Sequence, residues 1–280
     1  RRVRAGRANR SAFAPGATAD TPGEPGVVTR RGIERAPALC FAAAMHRRIT
    51  FGLLLAPALL AGAADWPMAR GRPDLCGVAP GHLPDAPVLR WTYDAGSPVK
   101  SAAAIADGRV FFGSASGRVH AVSALTGSNL WSFPTADTVD ATPLVLEGVV
   151  YAGSADGALY ALDAATGALK WKYQTEDKIL GGANWFRTPD GAARIVVGSY
   201  DYKLHCVDAV TGRATWTFET ANYVNGTPAV ADGRIVFGGC DGLLHAVDAQ
   251  TGREQVAVEA GAYVAGSPAV SGQRASAGHY

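Results

Sequence analysis

Cysteine is scarce in this chain, and its spacing excludes several kinds of site. The 280 residues include four cysteines, with no C-x-x-C, no C-x-x-C-H and no adjacent pair. Neither a zinc knuckle nor a covalently attached haem is therefore indicated. Cys76, Cys206 and Cys240 lie in the body of the chain, where their odd number and unrelated spacing do not form a disulfide framework. Buried free thiols are expected, with a Cys206–Cys240 bridge as the alternative.

Positive charge is also sparse outside the first 44 residues. Those residues carry eight arginines, whereas residues 65–280 contain 16 lysines and arginines against 21 acidic residues. No basic stripe with interleaved aromatic residues occurs in this body, which argues against a nucleic-acid partner. Residues 1–44 also lack an apolar period. They are interpreted as a mis-annotated upstream segment or, alternatively, as a disordered basic tail.

Long hydrophobic runs are missing too, apart from one near residue 50. Met45 is followed by a short basic stretch, by a mainly apolar run at 49–60 and by small residues at 61–64. The run is too short to span a bilayer, and this order of segments is typical of a secretory signal peptide. Residues 45–64 are therefore predicted to direct export. The mature protein is expected in the periplasm or outside the cell, with no transmembrane segment left after cleavage.

A repeat of about 40 residues fills the rest of the chain. Four Thr-Gly pairs, the first at Thr126, recur at intervals of 40, 45 and 40 residues, and tryptophans keep a similar period. Gly-rich turns separate short β-branched or aromatic segments, which in the second repeat predict strands at 142–146, 149–153, 158–163 and 168–174. Such a meander buries both faces only when neighbouring sheets stack. The predicted fold is therefore all-β, a β-propeller of four-stranded antiparallel blades.

Each repeat carries variants of the pattern A-x-D-x-x-T-G-x-x-x-W. Asp163 and Thr166 are expected to hydrogen-bond across a tight turn, Gly167 to adopt a positive φ, and Trp171 to cover the space between blades. The corresponding structural residues elsewhere are Trp91, Trp131, Asp208, Gly212, Trp216, Asp248 and Gly252.

This pattern resembles the tryptophan-docking repeat of the PQQ-like, or quinoprotein-type, β-propellers, a blade type shared with the outer-membrane assembly lipoprotein BamB. The W-P-x-x-R-G stretch at 66–71 is similar to the opening of exported members. The resemblance separates a lead-in segment at 65–86 from partial repeats at 87–280. Ser123, Cys206 and Val256 depart from the pattern and indicate diverged blades. Because relatives commonly have seven or eight blades, about 4.5 repeats predict a fragment of such a ring; a five-bladed ring is the alternative.

Candidate ligand-binding residues lie where the innermost strands begin. Lys100, Asp140 and Asn225 are in phase with Gly181 and Ala265, and each follows an apolar residue. We expect them to face the central channel, either as a polar mouth that binds a ligand or as a solvated rim.

The third repeat is five residues longer than its neighbours and is irregular. It reads Asn184-Trp185 where other repeats have small or aliphatic residues. A bulky Trp on an innermost strand is interpreted as part of a ligand platform or as filler between blades.

A second recurrent column contains His120, Tyr160, His205 and His245. These positions fall on the third strands of successive blades, which are too far apart to share one metal ion. Packing or surface positions are therefore favoured, and no metal site is predicted.

The resemblance implies two functional classes. PQQ-dependent dehydrogenases share this blade type and bind the quinone with calcium, a catalytic Asp and, in many, a Cys-Cys pair. This chain has no such pair and no set of carboxylates that stands out for calcium. No catalytic residue or cofactor is assigned, with PQQ and calcium kept as an alternative.

The preferred function is an exported, non-catalytic module that binds protein, peptide or carbohydrate. A fragment of a quinoprotein dehydrogenase and a BamB-like outer-membrane assembly factor with an envelope protein partner are the alternatives.

Overall fold

A computed structural model of the protein describes residues 65–79, 81 and 85–278. The predicted upstream segment at 1–44 and the predicted signal peptide at 45–64 lie outside the described residues. Regular secondary structure in the described part is entirely β, which confirms the predicted class. The same part contains no helix long and apolar enough to cross a membrane.

Four consecutive four-stranded antiparallel sheets, called blades 1 to 4, make up most of the repeat region. Blade 1 contains β1 (Ala104–Ala106), β2 (Arg109–Ser114), β3 (Arg118–Ser123) and β4 (Asn129–Pro134). Blade 2 contains β5 (Leu144–Leu146), β6 (Val149–Gly153), β7 (Ala158–Asp163) and β8 (Leu169–Gln174).

Blade 3 contains β9 (Asn184–Arg187), β10 (Ala193–Gly198), β11 (Lys203–Asp208) and β12 (Ala214–Glu219). Blade 4 contains β13 (Ala229–Ala231), β14 (Arg234–Gly238), β15 (Leu243–Asp248) and β16 (Glu254–Glu259). Two further strands, β17 (Ala269–Ser271) and β18 (Arg274–Ser276), form a two-stranded sheet. The meander order predicted for a propeller blade is therefore confirmed in all four blades.

The second blade shows where sequence and structure agree to the residue. Its second and third strands have the predicted bounds, whereas the innermost strand begins at Leu144 and the outer strand at Leu169. Pro143 has no backbone N–H to donate to a ladder, so the innermost strand starts only after it.

Each outer-strand tryptophan docks on the following blade. Trp131 Nε1 donates to the carbonyl oxygen of Ala164 at 3.1 Å, and its ring lies over Gly167, where φ is +73°. A Cβ added at Gly167 would lie 2.7 Å from that ring, so only glycine fits. Asp163 accepts hydrogen bonds from the amide and the hydroxyl of Thr166, both at 3.0 Å, and this closes the turn. The same docking recurs for Trp91, Trp171 and Trp216.

The lead-in segment runs along the free edges of the innermost strands. Trp66 pairs with Ile105 of β1 through two backbone hydrogen bonds of 2.8 Å. Further bonds join Val145 N to Pro67 O at 2.7 Å, Val230 N to Pro73 O at 2.7 Å and Val270 N to Asp74 O at 2.9 Å. Met68 and Leu75 are buried. The lead-in thus satisfies backbone groups on the strands of several blades and fills the space between them with apolar side chains.

Candidate functional site

The residues expected to face the channel form a column beside the innermost strands. The backbone N–H groups of Val139, Ile179 and Val224 each donate, at 3.1 Å, to the serine carbonyl of a Gly-Ser turn. Because Ile179 holds this place, Leu180, and not Gly181, is the third member of the column. Ile179 and Leu180 are both apolar, so the sequence pattern alone did not fix this phase.

The structure brings two of the three polar members of the column together. Lys100 Nζ lies 3.5 Å from Asp140 Oδ2, with the lysine side chain 66% exposed and the aspartate side chain 23% exposed. The third, Asn225, has its Nδ2 facing Cys240 Sγ at 3.4 Å. Among the described residues, Asp140 Oδ1 and Asn225 Oδ1 are buried without a hydrogen-bond partner. The column is therefore polar, with Lys100 and Asp140 paired and Asn225 in contact with Cys240.

A quinone held by calcium needs several oxygen ligands around the ion. In this column Asp140 is the one carboxylate, and its Oδ2 faces the Lys100 ammonium. Leu180 and Ala265 offer no side-chain ligand. No group of three or more His, Cys, Asp or Glu side chains suited to a metal occurs among the described residues. The donors of this column do not fit a calcium and quinone site.

The two irregular residues of the third repeat lie within the blade packing. Asn184 is fully buried, and its Nδ2 donates to the carbonyl oxygens of Pro73 and Pro228, both at 2.7 Å. Trp185 packs against the buried cluster shared by blades 2 and 3, with the Arg187 guanidinium 5.7 Å from its ring. The amide of Asn184 is thus used inside the protein, and Trp185 fills space between blades.

The histidine column links neighbouring blades and turns. His205 Nε2 donates to the Asp201 carboxylate at 3.0 Å, and the Tyr173 hydroxyl of the preceding blade donates to His205 Nδ1 at 3.0 Å. His245 Nε2 lies 3.0 Å from Asp241 in the same way. His120 and Tyr160 occupy this place in blades 1 and 2 and bond to Ser114 and Asp156, respectively. These polar side chains therefore serve the packing of the blades.

Three tyrosines that sequence reasoning missed lie together in blade 3. Tyr200 and Tyr202 belong to the turn between β10 and β11, and Tyr223 belongs to the connection between blades 3 and 4. The rings of Tyr200 and Tyr223 stack with centroids 4.4 Å apart, and the Tyr202 ring lies 5.2 Å from that of Tyr223. Tyr202 is 41% exposed and Tyr223 is 36% exposed. We call these three residues the tyrosine cluster.

Tyr202 has a backbone conformation that normally calls for glycine. Its φ is +69°, and the equivalent positions of the other blades are Gly117, Gly157 and Gly242, with φ between +70° and +80°. A left-handed residue other than glycine costs roughly 1–2 kcal/mol. A tyrosine at this position of a Gly-rich repeat is the signal from which the cluster could have been found in the sequence.

The tyrosine cluster borders a cavity of about 420 Å³. The charged residues that line the cavity are Glu176, Asp177, Asp201, Glu219 and Lys203. Lys203 Nζ lies 3.3 Å from Glu176 Oε2. Asp201 is buried against His205, and the three other acidic side chains against one basic side chain make this an aromatic cavity with negative charge.

Comparisons with solved structures agree with the propeller architecture. BamB from Moraxella catarrhalis is 25% identical in sequence, with a TM-score of 0.56 over 64% of this chain and 55% of that chain. Quinohemoprotein alcohol dehydrogenase from Comamonas testosteroni is 18% identical, with a TM-score of 0.64 over 75% of this chain and 44% of that chain. The second likeness shows the fold alone. The chain spans about half the length of these two proteins.

The family comparison covers most of the chain. No curated protein sequence matches it. The family model described as outer membrane protein assembly factor BamB matches residues 85–193 and 184–279. These residues include all four complete blades, with their docking tryptophans and Thr-Gly turns. The chain therefore belongs to this family of PQQ-like β-propeller repeats of the BamB type.

Proposed function

We propose that this chain is an exported, non-catalytic binding module that holds a protein segment against the tyrosine cluster. The observation that carries the proposal is Tyr202, an exposed aromatic residue at a place where the repeat otherwise has glycine. The backbone cost of this residue brings no packing gain to the interior, because its ring lies on the surface. Strained, exposed aromatic residues of this kind are typical of recognition sites.

A protein partner suits the chemistry of this surface. Tyrosine gives a large, rigid contact area together with a hydroxyl group that hydrogen-bonds, and it is enriched at the centres of protein interfaces. The family to which the chain belongs is described by a role in outer-membrane protein assembly. An envelope protein is therefore the partner we propose.

The buried ionisable pairs support a non-catalytic role. Asp201 and His205 are hydrogen-bonded to each other, and the histidine also accepts a hydrogen bond from Tyr173 of the preceding blade. Such pairs hold the turns and blades in register and are closed to solvent. That the proposed module is exported rests on the predicted signal peptide at 45–64.

Site-specific photo-crosslinking tests the proposal in the intact chain. A benzoylphenylalanine residue replaces Tyr202 or Tyr223 in cells that carry the outer-membrane assembly proteins, and a third variant carries it at Val210. Val210 is 83% exposed and follows β11, whereas Tyr202 precedes that strand, so the two probes lie at opposite ends of it. We expect a crosslinked envelope protein from the two tyrosine positions and none from Val210.

The same experiment separates the alternatives. A crosslink from Val210 alone would move the binding surface to the other end of the blade, and crosslinks from none of the three positions would contradict the proposal. Adding PQQ and Ca²⁺ to the purified chain tests the quinoprotein alternative, since that alternative requires quinone absorbance on the protein and dye-linked alcohol oxidation.

A further inference from the structure

We infer that the cavity beside the tyrosine cluster takes the cationic side chain of a lysine or arginine from the bound segment. This inference rests on the proposed function and specifies its ligand chemistry. It depends on two features that coincide only in blade 3 among the described blades, an aromatic wall and an excess of carboxylates.

The aromatic wall has the geometry that attracts cations. Tyr200 and Tyr223 stack on one another, Tyr202 tilts against Tyr223, and all three residues line one cavity, where Tyr202 and Tyr223 are exposed. A cation within about 6 Å of such a ring is attracted by its quadrupole. Arginine also stacks its planar guanidinium on aromatic rings, which makes it the better fit of the two side chains.

The charge around these rings is negative. Lys203 lies opposite Glu176 at 3.3 Å, and within the described residues neither Asp177 nor Glu219 takes part in an ion pair. These two carboxylates are therefore available to a ligand. The pKa of Tyr223 is raised, chiefly by Tyr202 and to a smaller extent by Asp177, so its ring stays a neutral phenol at physiological pH.

The equivalent cavity of blade 4 gives an internal comparison. It has a volume of about 330 Å³ and is lined by Asp241, Glu259 and Tyr263. Cys240 and Gly242 stand where blade 3 has Tyr200 and Tyr202. Blade 4 therefore has two of the four carboxylates and one of the three tyrosines, and it supplies matched control positions for Glu219 and Tyr223.

A peptide titration tests the inference on the full chain with ¹³C-labelled tyrosine rings observed by NMR. The probes are an acetylated pentapeptide with a central arginine, the same peptide with lysine, and the same peptide with citrulline, which keeps the shape of arginine without its charge. We expect the arginine peptide to shift the rings of the tyrosine cluster, and the citrulline peptide to bind at least tenfold more weakly. Raising the salt concentration is expected to weaken the binding of the arginine peptide, because the attraction is electrostatic.

Variants identify the groups that act. We expect the affinity for the arginine peptide to fall at least fivefold in two variants. One is Tyr223→Ala, and the other combines Asp177→Asn with Glu219→Gln. The matched controls Tyr263→Ala and Glu259→Gln are expected to leave its affinity unchanged. Circular dichroism checks that every variant keeps the β-sheet signal of the parent chain.

Several results would overturn the inference. Equal binding of arginine and citrulline peptides, equal loss in the blade 4 controls, or no shift with any peptide each contradicts it. Binding of maltooligosaccharides to the same rings, without the arginine peptide, would identify a sugar site. If the crosslinks from Tyr202 persist in the Asp177→Asn, Glu219→Gln variant, the proposed protein-binding function stands and the cationic ligand is excluded.

Discussion

Blades 2 and 3 are built on one pattern and differ at a few positions. Both have an aspartate in the turn before the third strand, a Thr-Gly turn after it and a docked tryptophan at their edge. At the innermost strand, however, blade 2 has Leu144 where blade 3 has Asn184. In the turn, blade 2 has Gly157 where blade 3 has Tyr202.

These differences separate two kinds of residue. The shared residues close turns and join neighbouring blades, so a substitution there affects the fold wherever it occurs. The differing residues either tie blade 3 to the lead-in segment, as Asn184 does, or lie on its surface, as Tyr202 does. A repeat protein thus reveals its specialised positions as departures from its own consensus.

The largest expected effect concerns the shared docking tryptophans. Trp131→Ala and Trp171→Ala each remove a large ring that covers the glycine of the next blade and a hydrogen bond to a backbone carbonyl. We expect each variant to lower the free energy of unfolding by about 3–5 kcal/mol in urea titrations. Leu130→Ala, on the same strand as Trp131 and 45% exposed, is the control and should change stability by less than about 0.5 kcal/mol. A much smaller loss of stability from one of the two substitutions would show that the two blade interfaces are not equivalent.

The next effect concerns the residue that sets blade 3 apart inside the protein. In Asn184→Leu, the carbonyl oxygen of Pro228 loses its buried donor, whereas that of Pro73 keeps the hydrogen bond from Val230 N. We expect a loss of about 1–3 kcal/mol in the free energy of unfolding, which is the cost of one unpaired buried carbonyl. The exposed Gln250→Leu is the control. A stability equal to that of the parent would mean that the amide is dispensable and that Asn184 has another role.

Most of the fold could be predicted from the sequence, because the same pattern of turns and tryptophans recurs from blade to blade. The Thr-Gly turns and tryptophans fix strand order and blade boundaries, and their roles are local. The path of the lead-in segment could not be predicted, since its hydrogen bonds join residues more than 30 positions apart, such as Trp66 and Ile105. The tight contact of Trp66 with Gly71 gives a physical reason for the W-P-x-x-R-G spacing.

The candidate site was harder to predict than the fold. Asn184 is irregular within the repeat, but its position in the sequence does not show that its amide binds the carbonyl oxygen of Pro73. The tyrosine cluster joins a turn to a connection about 20 residues later, and only the turn residue Tyr202 breaks a glycine column. The signal for the cluster in the sequence is therefore a change at one turn position of the repeat, and not a set of His or carboxylate residues.

An exchange of the turn residues tests whether Tyr202 is retained at the expense of stability. Tyr202→Gly removes the left-handed strain and is expected to raise the free energy of unfolding by about 1 kcal/mol. Gly157→Tyr places a side chain at φ +79° with its Cβ 2.9 Å from Gln174 Nε2 and 3.0 Å from the carbonyl of Asp177. It is expected to cost about 1–2 kcal/mol. Thermal and urea unfolding measure both, and a destabilised Tyr202→Gly would show that the ring supports the fold after all.

The smallest effect is the acid sensitivity that both turns share. Burial opposes the ionisation of Asp156 and Asp201, but hydrogen bonds from Tyr160 and His205, respectively, together with backbone N–H groups, lower the pKa of each carboxyl below its ordinary value. A carboxylate whose pKa is lower in the folded state stabilises the fold above the pKa of the unfolded chain, near 4, and loses this contribution as the pH falls through the folded pKa.

Stability measured from pH 6 down to pH 2.5 should therefore decline below pH 4 in the parent. Asp156→Asn and Asp201→Asn should each lower the stability at pH 6 and flatten the decline, whereas the exposed Asp107→Asn should do neither. Equal flattening in the two turn variants would show that the aspartate belongs to the framework common to both blades, independent of the tyrosines beside Asp201. If Asp156→Asn flattens the decline and Asp201→Asn does not, the carboxylate in the turn of blade 3 makes no such electrostatic contribution to stability.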